Sequence, residues 1–156
     1  MDGPRSNVSA RRSHRQTQSA RRIGPTMRAP RILHVDDDTD ILEVANLALE
    51  LVGGLTVAQS ASGAEALRQA PGFLPDVFLL DYMMPGMTGA ELLAELRKIP
   101  LFKATPAIFL TAVDDGEVIQ RLREAGAVEI IPKPFDAMTL ASQVTAIWKD
   151  VAQLAS

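Results

Sequence analysis

The chain contains no cysteine, few aromatic residues and only two histidines, His14 and His34. Disulfide bonds and thiolate metal sites are therefore excluded, and two histidines are too few for a typical zinc centre. No apolar stretch approaches the roughly 20 residues needed to span a bilayer, and no hydrophobic signal core lies near the N-terminus. Because nothing in the sequence requires an oxidising compartment, we expect a cytoplasmic protein without a membrane span.

Acidic residues are nearly missing from the first part of the chain. Residues 1–31 contain eight Arg and one Asp, whereas residues 32–156 contain eight Lys or Arg and eighteen Asp or Glu. A domain with so negative a balance repels the phosphate backbone of nucleic acids. We therefore expect no direct DNA binding by the folded part of the chain.

Residues 1–29 are rich in Arg, Ser and Gln and poor in apolar residues, which predicts a disordered basic N-terminal extension. Three interpretations of this extension are open. It is an artefact of an upstream start codon if translation begins at Met27, a basic tail for anionic partners, or an organelle transit peptide without an apolar helical face. We assign the folded domain to residues 30–154.

Five short apolar runs alternate with five amphipathic helical patterns. The predicted strands are 31–35, 55–59, 76–80, 106–110 and 127–131, and the predicted helices are 39–52, 63–70, 88–98, 115–125 and 136–152. Strands that alternate with helices over short loops predict a parallel sheet with right-handed crossovers and helices on both faces. The expected fold class is a three-layer, doubly wound (βα)5 domain of the α/β class.

Several helix ends carry recognisable signals. Ser62 and Asp136 are predicted N-caps, and Thr88 forms a predicted capping box with Glu91. Pro71 is expected to end the second helix, because proline disfavours the helical conformation of the residue before it.

Polar residues follow four of the predicted strands. Asp36 and Asp37 end the first strand, Asp81 ends the third, Thr111 the fourth, and Lys133 follows the fifth. In open α/β sheets, ligands bind at the edge where the carboxyl ends of the strands meet. We therefore expect these side chains to converge at one site.

The residue types at this edge predict phosphoryl chemistry with a divalent cation. Crowded carboxylates repel one another, and Mg²⁺ is a hard cation that binds carboxylates together with phosphate oxygens. A carboxylate such as Asp81 can then act as the nucleophile that forms an aspartyl phosphate. Lys133 and the Thr111 hydroxyl, with a backbone N–H near Ala112, would stabilise charge on the phosphoryl oxygens.

Two neighbours of this edge have simpler interpretations. His34 lies inside the first strand and is expected to be a packed core residue rather than a ligand. The Lys133–Pro134 bond is a candidate for the cis form, because X–Pro bonds adopt it at modest cost.

The whole motif set resembles the receiver domain of two-component response regulators over about residues 31–152. The residues that carry the resemblance are Asp36-Asp37, Asp81, Thr111-Ala112 and Lys133-Pro134-Phe135. The resemblance implies a flavodoxin-like fold with the strand order 2-1-3-4-5. It also implies phosphorelay signal transduction, with Asp81 as the phosphoacceptor for a histidine kinase or a histidine phosphotransfer protein.

The same resemblance implies a ligand set for Mg²⁺. Asp37, Asp81 and the backbone carbonyl of Met83 would bind the ion, while Asp36 would act mostly through water. Asp38 has no such role in the family, and we expect it to cap a turn or a helix.

One position departs from the family pattern. The family usually carries Tyr or Phe three residues before the conserved lysine, and this chain has Ile130 there. Isoleucine offers no phenolic hydroxyl and has few rotamers, so we expect an altered activation switch at this position.

Two alternative functions are weighed against the phosphorelay role. A receiver-like module that acts without phosphorylation would suit Ile130 but not the complete acidic set. A haloacid-dehalogenase-type phosphatase would suit the order of Asp36, Thr111 and Lys133 but needs a further acidic motif that this chain lacks.

We expect a protein that catalyses its own phosphorylation and dephosphorylation without being a turnover enzyme. No DNA-binding or catalytic sequence is evident after the domain, so we expect it either to dock to an unknown downstream protein or to pass its phosphoryl group along a relay.

Overall fold

The computed structural model describes residues 28–155. The predicted disordered extension, residues 1–29, lies almost entirely outside this range. Within residues 28–155, no helix is both long enough and apolar enough to cross a membrane.

Five parallel strands form one sheet in the order β2-β1-β3-β4-β5. The strands are β1 (Arg31–Val35), β2 (Thr56–Ser60), β3 (Val77–Leu80), β4 (Ala107–Thr111) and β5 (Ala127–Pro132). Five helices connect or follow them: α1 (Thr39–Asn46, continued by a π-helical turn, Leu47–Val52), α2 (Gly63–Phe73), α3 (Gly89–Arg97), α4 (Gly116–Glu124) and α5 (Leu140–Ala155). A short 3-10 turn, Pro100–Phe102, precedes β4. The predicted doubly wound fold and strand order are confirmed.

The sheet separates two apolar cores. On one face, α1 and α5 cover the sheet, with Leu49, Val144 and Trp148 packed against β1, β3 and β4. On the other face, α2, α3 and α4 cover it, and the side chains of Leu92 and Phe102 are buried among them. Because both faces are covered, β3 and β4 are buried at every position and are apolar except for Thr111 at the end of β4.

Three helix boundaries differ from the sequence prediction by three or more residues, namely the end of α2 and both ends of α5. α2 continues through Pro71 to Phe73, and its last turn closes with the Leu74 N–H donating to the Ala70 carbonyl. Ala70 is fully buried and Phe73 packs against the core, so tertiary packing outweighs the local cost of the proline.

The helix α5 begins at Leu140 rather than at Asp136, and it ends at Ala155 rather than at residue 152. Asp136 still caps a turn, since its side chain accepts the N–H of Met138 and its carbonyl accepts the N–H of Leu140. The predicted capping box at Thr88 and Glu91 is confirmed, with both hydrogen bonds present.

Candidate functional site

Backbone hydrogen bonds between neighbouring strands fix the start of each loop that carries a predicted site residue. The bonds are Asp36 N–H to the Ser60 carbonyl (3.1 Å), Asp81 N–H to the Val35 carbonyl (2.9 Å) and Lys133 N–H to the Thr111 carbonyl (2.9 Å). The first residue of each loop is therefore held in a defined position relative to the neighbouring strand. The side chains that follow β1, β3 and β5 meet at the carboxyl edge for this reason.

Lys133 joins the two buried carboxylates of this edge. Its Nζ lies 2.6 Å from Oδ2 of Asp36 and 3.3 Å from Oδ1 of Asp81. Asp36 is fully buried, and the side chains of Lys133 and Asp81 are only 13% and 10% exposed. The sequence prediction that these three residues converge is therefore confirmed, although up to 97 positions separate them along the chain.

Three carboxylates at this edge are placed to share a cation. Asp36, Asp37 and Asp81 each offer one oxygen, and these oxygens lie within 4.8 Å of one another. Asp37 is exposed to solvent, whereas the other two are buried. All three donors are hard oxygen ligands, which is the donor chemistry that Mg²⁺ prefers, so the residues fit a magnesium ion.

The electrostatics of the cluster follow from burial and crowding. Burial, and then the charge of Asp36, raises the pKa of Asp81 to about 6 in spite of the nearby ammonium group. Burial alone would lower the pKa of Lys133, but its hydrogen bond to Asp36 and the charges of Asp81 and Asp36 outweigh burial and raise it. A cation bound nearby would therefore stabilise the ionised form of Asp81, while Lys133 stays charged.

The remaining predicted site residues lie around the same edge. Thr111 is buried at the end of β4, and its hydroxyl oxygen accepts the N–H of Val113 at 3.2 Å. Ala112 and Met83 are exposed on the loops that follow β4 and β3, with Met83 62% exposed. The Lys133–Pro134 bond is cis, as the sequence suggested. Asp38 is the N-cap of α1, and its side chain accepts the N–H of Asp40 and Ile41.

Sequence reasoning missed the close contact between α3 and the Asp81 backbone. The Gly89 N–H donates to the Tyr82 carbonyl at 2.7 Å. A Cβ at position 89 would collide with the Asp81 carbonyl and lie 2.8 Å from the ring of Phe109. Only glycine fits here, and the sole sequence signal was its place directly after the Thr88 cap.

His34 and Gln59 form a second feature that the sequence did not reveal. His34 is fully buried in β1, as predicted, and its Nδ1 lies 3.1 Å from Nε2 of Gln59 on β2. Burial, and then the charge of Lys133, lowers the pKa of His34 to about 3. The imidazole is therefore neutral at physiological pH, which is consistent with a core histidine.

Ile130 lies on β5 opposite Phe109 of β4. Its side chain is partly buried and packs against the core under α2, α3 and α4. The expectation that Ile130 alters the activation switch remains a prediction.

The strand order defines a flavodoxin-like α/β domain, and the lysine–carboxylate cluster lies at the carboxyl edge of its sheet. The family model of the response regulator receiver domain matches residues 32–145. The chain belongs to this family, which confirms the resemblance found in the sequence.

Known relatives agree with this assignment. The phosphate regulon transcriptional regulatory protein PhoB of Escherichia coli K12 is 31% identical over 127 residues, covering 81% of this chain and 55% of PhoB. The transcriptional regulatory protein PrrA of Mycobacterium tuberculosis is 36% identical over 119 residues, covering 76% of this chain and 50% of PrrA. The chain thus spans about half the length of these curated relatives.

Solved structures show the same fold over nearly their whole length. The chemotaxis protein CheY4 of Vibrio cholerae superposes with a TM-score of 0.72 at 32% identity, covering 77% of this chain and 99% of that one. A putative response regulator of Chloroflexus aurantiacus gives a TM-score of 0.71 at 36% identity, covering 78% of this chain and 98% of that one.

Proposed function

We propose that this domain, assigned to residues 30–154, accepts a phosphoryl group on Asp81 in a Mg²⁺-dependent reaction. The observation that carries the proposal is the position of the Lys133 ammonium between two buried carboxylates, beside an exposed third. A phosphoryl group needs cationic partners on its oxygens and a nucleophile in line with the bond that breaks. The cluster offers both.

Each residue has a defined part in the reaction. An Oδ atom of Asp81 forms a bond to phosphorus while the phosphorus–nitrogen bond of a phosphohistidine donor breaks and the imidazole leaves. Lys133 pairs with one phosphoryl oxygen, and the Thr111 hydroxyl donates to another together with a backbone N–H near Ala112. Bound Mg²⁺ would supply charge neutralisation between the carboxylates and the phosphoryl group. Asp36, Asp37, Asp81 and the Met83 carbonyl are the groups proposed to hold it.

The partners follow from this chemistry. We assign a sensor histidine kinase or a histidine phosphotransfer protein as donor, and an unidentified protein as the downstream target. The domain is proposed to work in the cytoplasm, without direct DNA binding, and to turn over only its own aspartyl phosphate. Each of these assignments depends on phosphorylation at Asp81.

A phosphorylation assay tests the proposal. Purified protein is incubated with acetyl phosphate and Mg²⁺, and the phosphorylated fraction is resolved on a phosphate-affinity gel. We expect a shifted band for the wild type and none for Asp81→Asn. Asp150→Asn, an exposed acid on α5, is the matched control and should shift like the wild type.

Two outcomes would contradict the proposal. A shifted band in Asp81→Asn, with native circular dichroism, would place the phosphoryl group elsewhere. A wild type without any shift, both with acetyl phosphate and with a panel of phosphorylated kinases, would favour a module that acts without phosphorylation.

A further inference from the structure

A polar pair lies one layer below the carboxylate cluster in an otherwise apolar interior. Side chains alternate across a strand, so positions 32, 34 and 36 along β1 point to the same face of the sheet. Ile32 belongs to the core beneath α1 and α5, which places His34 in that core directly under Asp36. Gln59 is the register partner of His34 on β2, and Leu79 is its partner on β3.

The hydrogen bonds of Gln59 determine which nitrogen of His34 carries the proton. Nε2 of Gln59 lies 2.7 Å from the Leu42 carbonyl oxygen, which can only accept, so the amide nitrogen faces α1. The same Nε2 lies 3.1 Å from Nδ1 of His34. Because this amide nitrogen only donates, Nδ1 is the acceptor and the ring proton resides on Nε2 of His34.

The proton on Nε2 of His34 has no acceptor in the part of the chain that the structure describes. Among residues 28–155, Nε2 of His34 is a fully buried side-chain atom without any hydrogen-bond partner. Buried polar atoms nearly always have a partner, and an ordered water supplies it where the protein does not. Because Nδ1 faces Gln59 at 3.1 Å, Nε2 lies on the other side of the ring, away from β2.

Asp36 has acceptor capacity to spare above this position. Its Oδ1 accepts the Asp38 N–H at 2.9 Å and its Oδ2 accepts from Lys133. A carboxylate has about four lone-pair sites, so about two remain, one for the proposed magnesium site and one for a water. Asp36 is fully buried, so bulk water cannot reach these sites freely.

We propose that Nε2–H of His34 donates to a buried water that in turn donates to the Asp36 carboxylate, which makes His34 a positioning residue for the Asp36–Lys133 ion pair. The inference rests on the proposed phosphorylation of Asp81 for its functional part. Through this water, the imidazole of His34 fixes the orientation of the Asp36 carboxylate. Asp36 in turn positions the Lys133 ammonium group that pairs with the phosphoryl oxygen. Gln59 extends the chain of hydrogen bonds to the Leu42 carbonyl of α1.

The structural part is tested on the wild-type protein without any phosphoryl donor. A crystal structure at high resolution should show a water at about 3 Å from Nε2 of His34. Nitrogen-15 spectra of the imidazole should show the tautomer with the proton on Nε2. A protonated Nδ1, or a protein acceptor at Nε2, would overturn the proposal.

The functional part is tested by the rate of phosphorylation at saturating Mg²⁺ and acetyl phosphate. His34→Leu removes both ring nitrogens, and we expect roughly a 10-fold lower rate at an unchanged half-saturating donor concentration. His34→Gln restores a donor and should recover most of the loss. Leu79→Met, a change of similar volume beside His34 on the same face, should leave the rate near that of the wild type.

These readouts separate the two hypotheses. A wild type that is never phosphorylated refutes the proposed function. The crystal structure and the nitrogen-15 spectra still test the water and the tautomer of His34 in that case. Phosphorylation of His34→Leu at the wild-type rate refutes the positioning role alone. The positioning role is also refuted if His34→Leu lowers the phosphorylation rate and His34→Gln does not restore it.

Discussion

The Asp81 carboxylate makes the metal-free domain sensitive to pH. Its pKa is raised to about 6, first by burial and then by Asp36, while an unfolded chain leaves it near the ordinary value of 3.8. Between these two pH values the folded protein binds more protons than the unfolded protein, so stability falls as pH rises. Above about pH 6, the ionised Asp81 destabilises the folded state to its full extent. Below about pH 3.8, Asp81 is protonated in both states and this destabilisation disappears.

Asp81→Asn should remove this penalty. In the presence of a chelator at neutral pH, we expect the variant to be more stable than the wild type by about 1–2 kcal/mol, with the difference shrinking toward about pH 4. Urea unfolding at several pH values, followed by circular dichroism, measures it. If the variant is instead less stable at neutral pH, the ion pair of Asp81 with Lys133 outweighs burial and repulsion.

At the residue scale, the sequence predicted the charged part of the site well. Asp36, Asp81 and Lys133 each follow a strand, and a parallel sheet must bring such positions to one edge. The His34–Gln59 pair could not be predicted in the same way. A histidine inside an apolar strand carries no signal for the nitrogen that lacks a partner, because that depends on the neighbouring strand and on the carbonyl of Leu42.

At the element scale, the start of α3 packs directly against the backbone of Asp81, the proposed phosphoacceptor. Gly89→Ala would drive a methyl group into the Asp81 carbonyl and against the Phe109 ring, neither of which can move without disturbing the sheet. We expect a loss of about 2–4 kcal/mol in the free energy of unfolding, together with slower phosphorylation of Asp81. Denaturant unfolding and the gel assay measure the two effects.

Gly72→Ala is the matched control for this prediction. Gly72 lies in the last turn of α2 and is exposed, and a Cβ added there would have no other atom within 4 Å. Alanine is the better helix former, so we expect an unchanged or slightly higher stability, by up to about 1 kcal/mol. Equal losses in the two variants would mean that helix propensity, rather than the contact with Asp81, determines the result at position 89.

The elements themselves were predicted to within a few residues, and the misses have physical causes. The predicted strands begin within one residue of the observed ones, because buried apolar runs and short loops leave little freedom. The extension of α2 past Pro71 depends on the burial of Ala70, which is a tertiary effect. The close approach of Gly53, which follows the π-helical turn, to Ala141 of α5 is also a tertiary contact, since a Cβ at position 53 would collide with Ala141.

At the scale of the whole molecule, the folded domain is built around a cluster of like charges. Asp36, Asp37 and Asp81 lie close together, and Lys133 neutralises only part of their charge. A ligand that binds the folded state alone stabilises it, by about 2.7 kcal/mol at a concentration roughly 100 times its dissociation constant. Mg²⁺ should therefore raise the melting temperature of the wild type by several degrees.

Asp37→Asn separates metal binding from repulsion. Asp37 is the exposed member of the cluster, so the substitution leaves the buried ion pair in place. Without metal, the variant should melt at or above the wild-type temperature because one repelling charge is gone, and added Mg²⁺ should shift it much less. Asp150→Asn, remote from the cluster on α5, should keep the full shift in thermal melts. A metal-free Asp37→Asn that melts below the wild type would mean that Asp37 makes favourable contacts, and an undiminished Mg²⁺ shift would place the cation elsewhere.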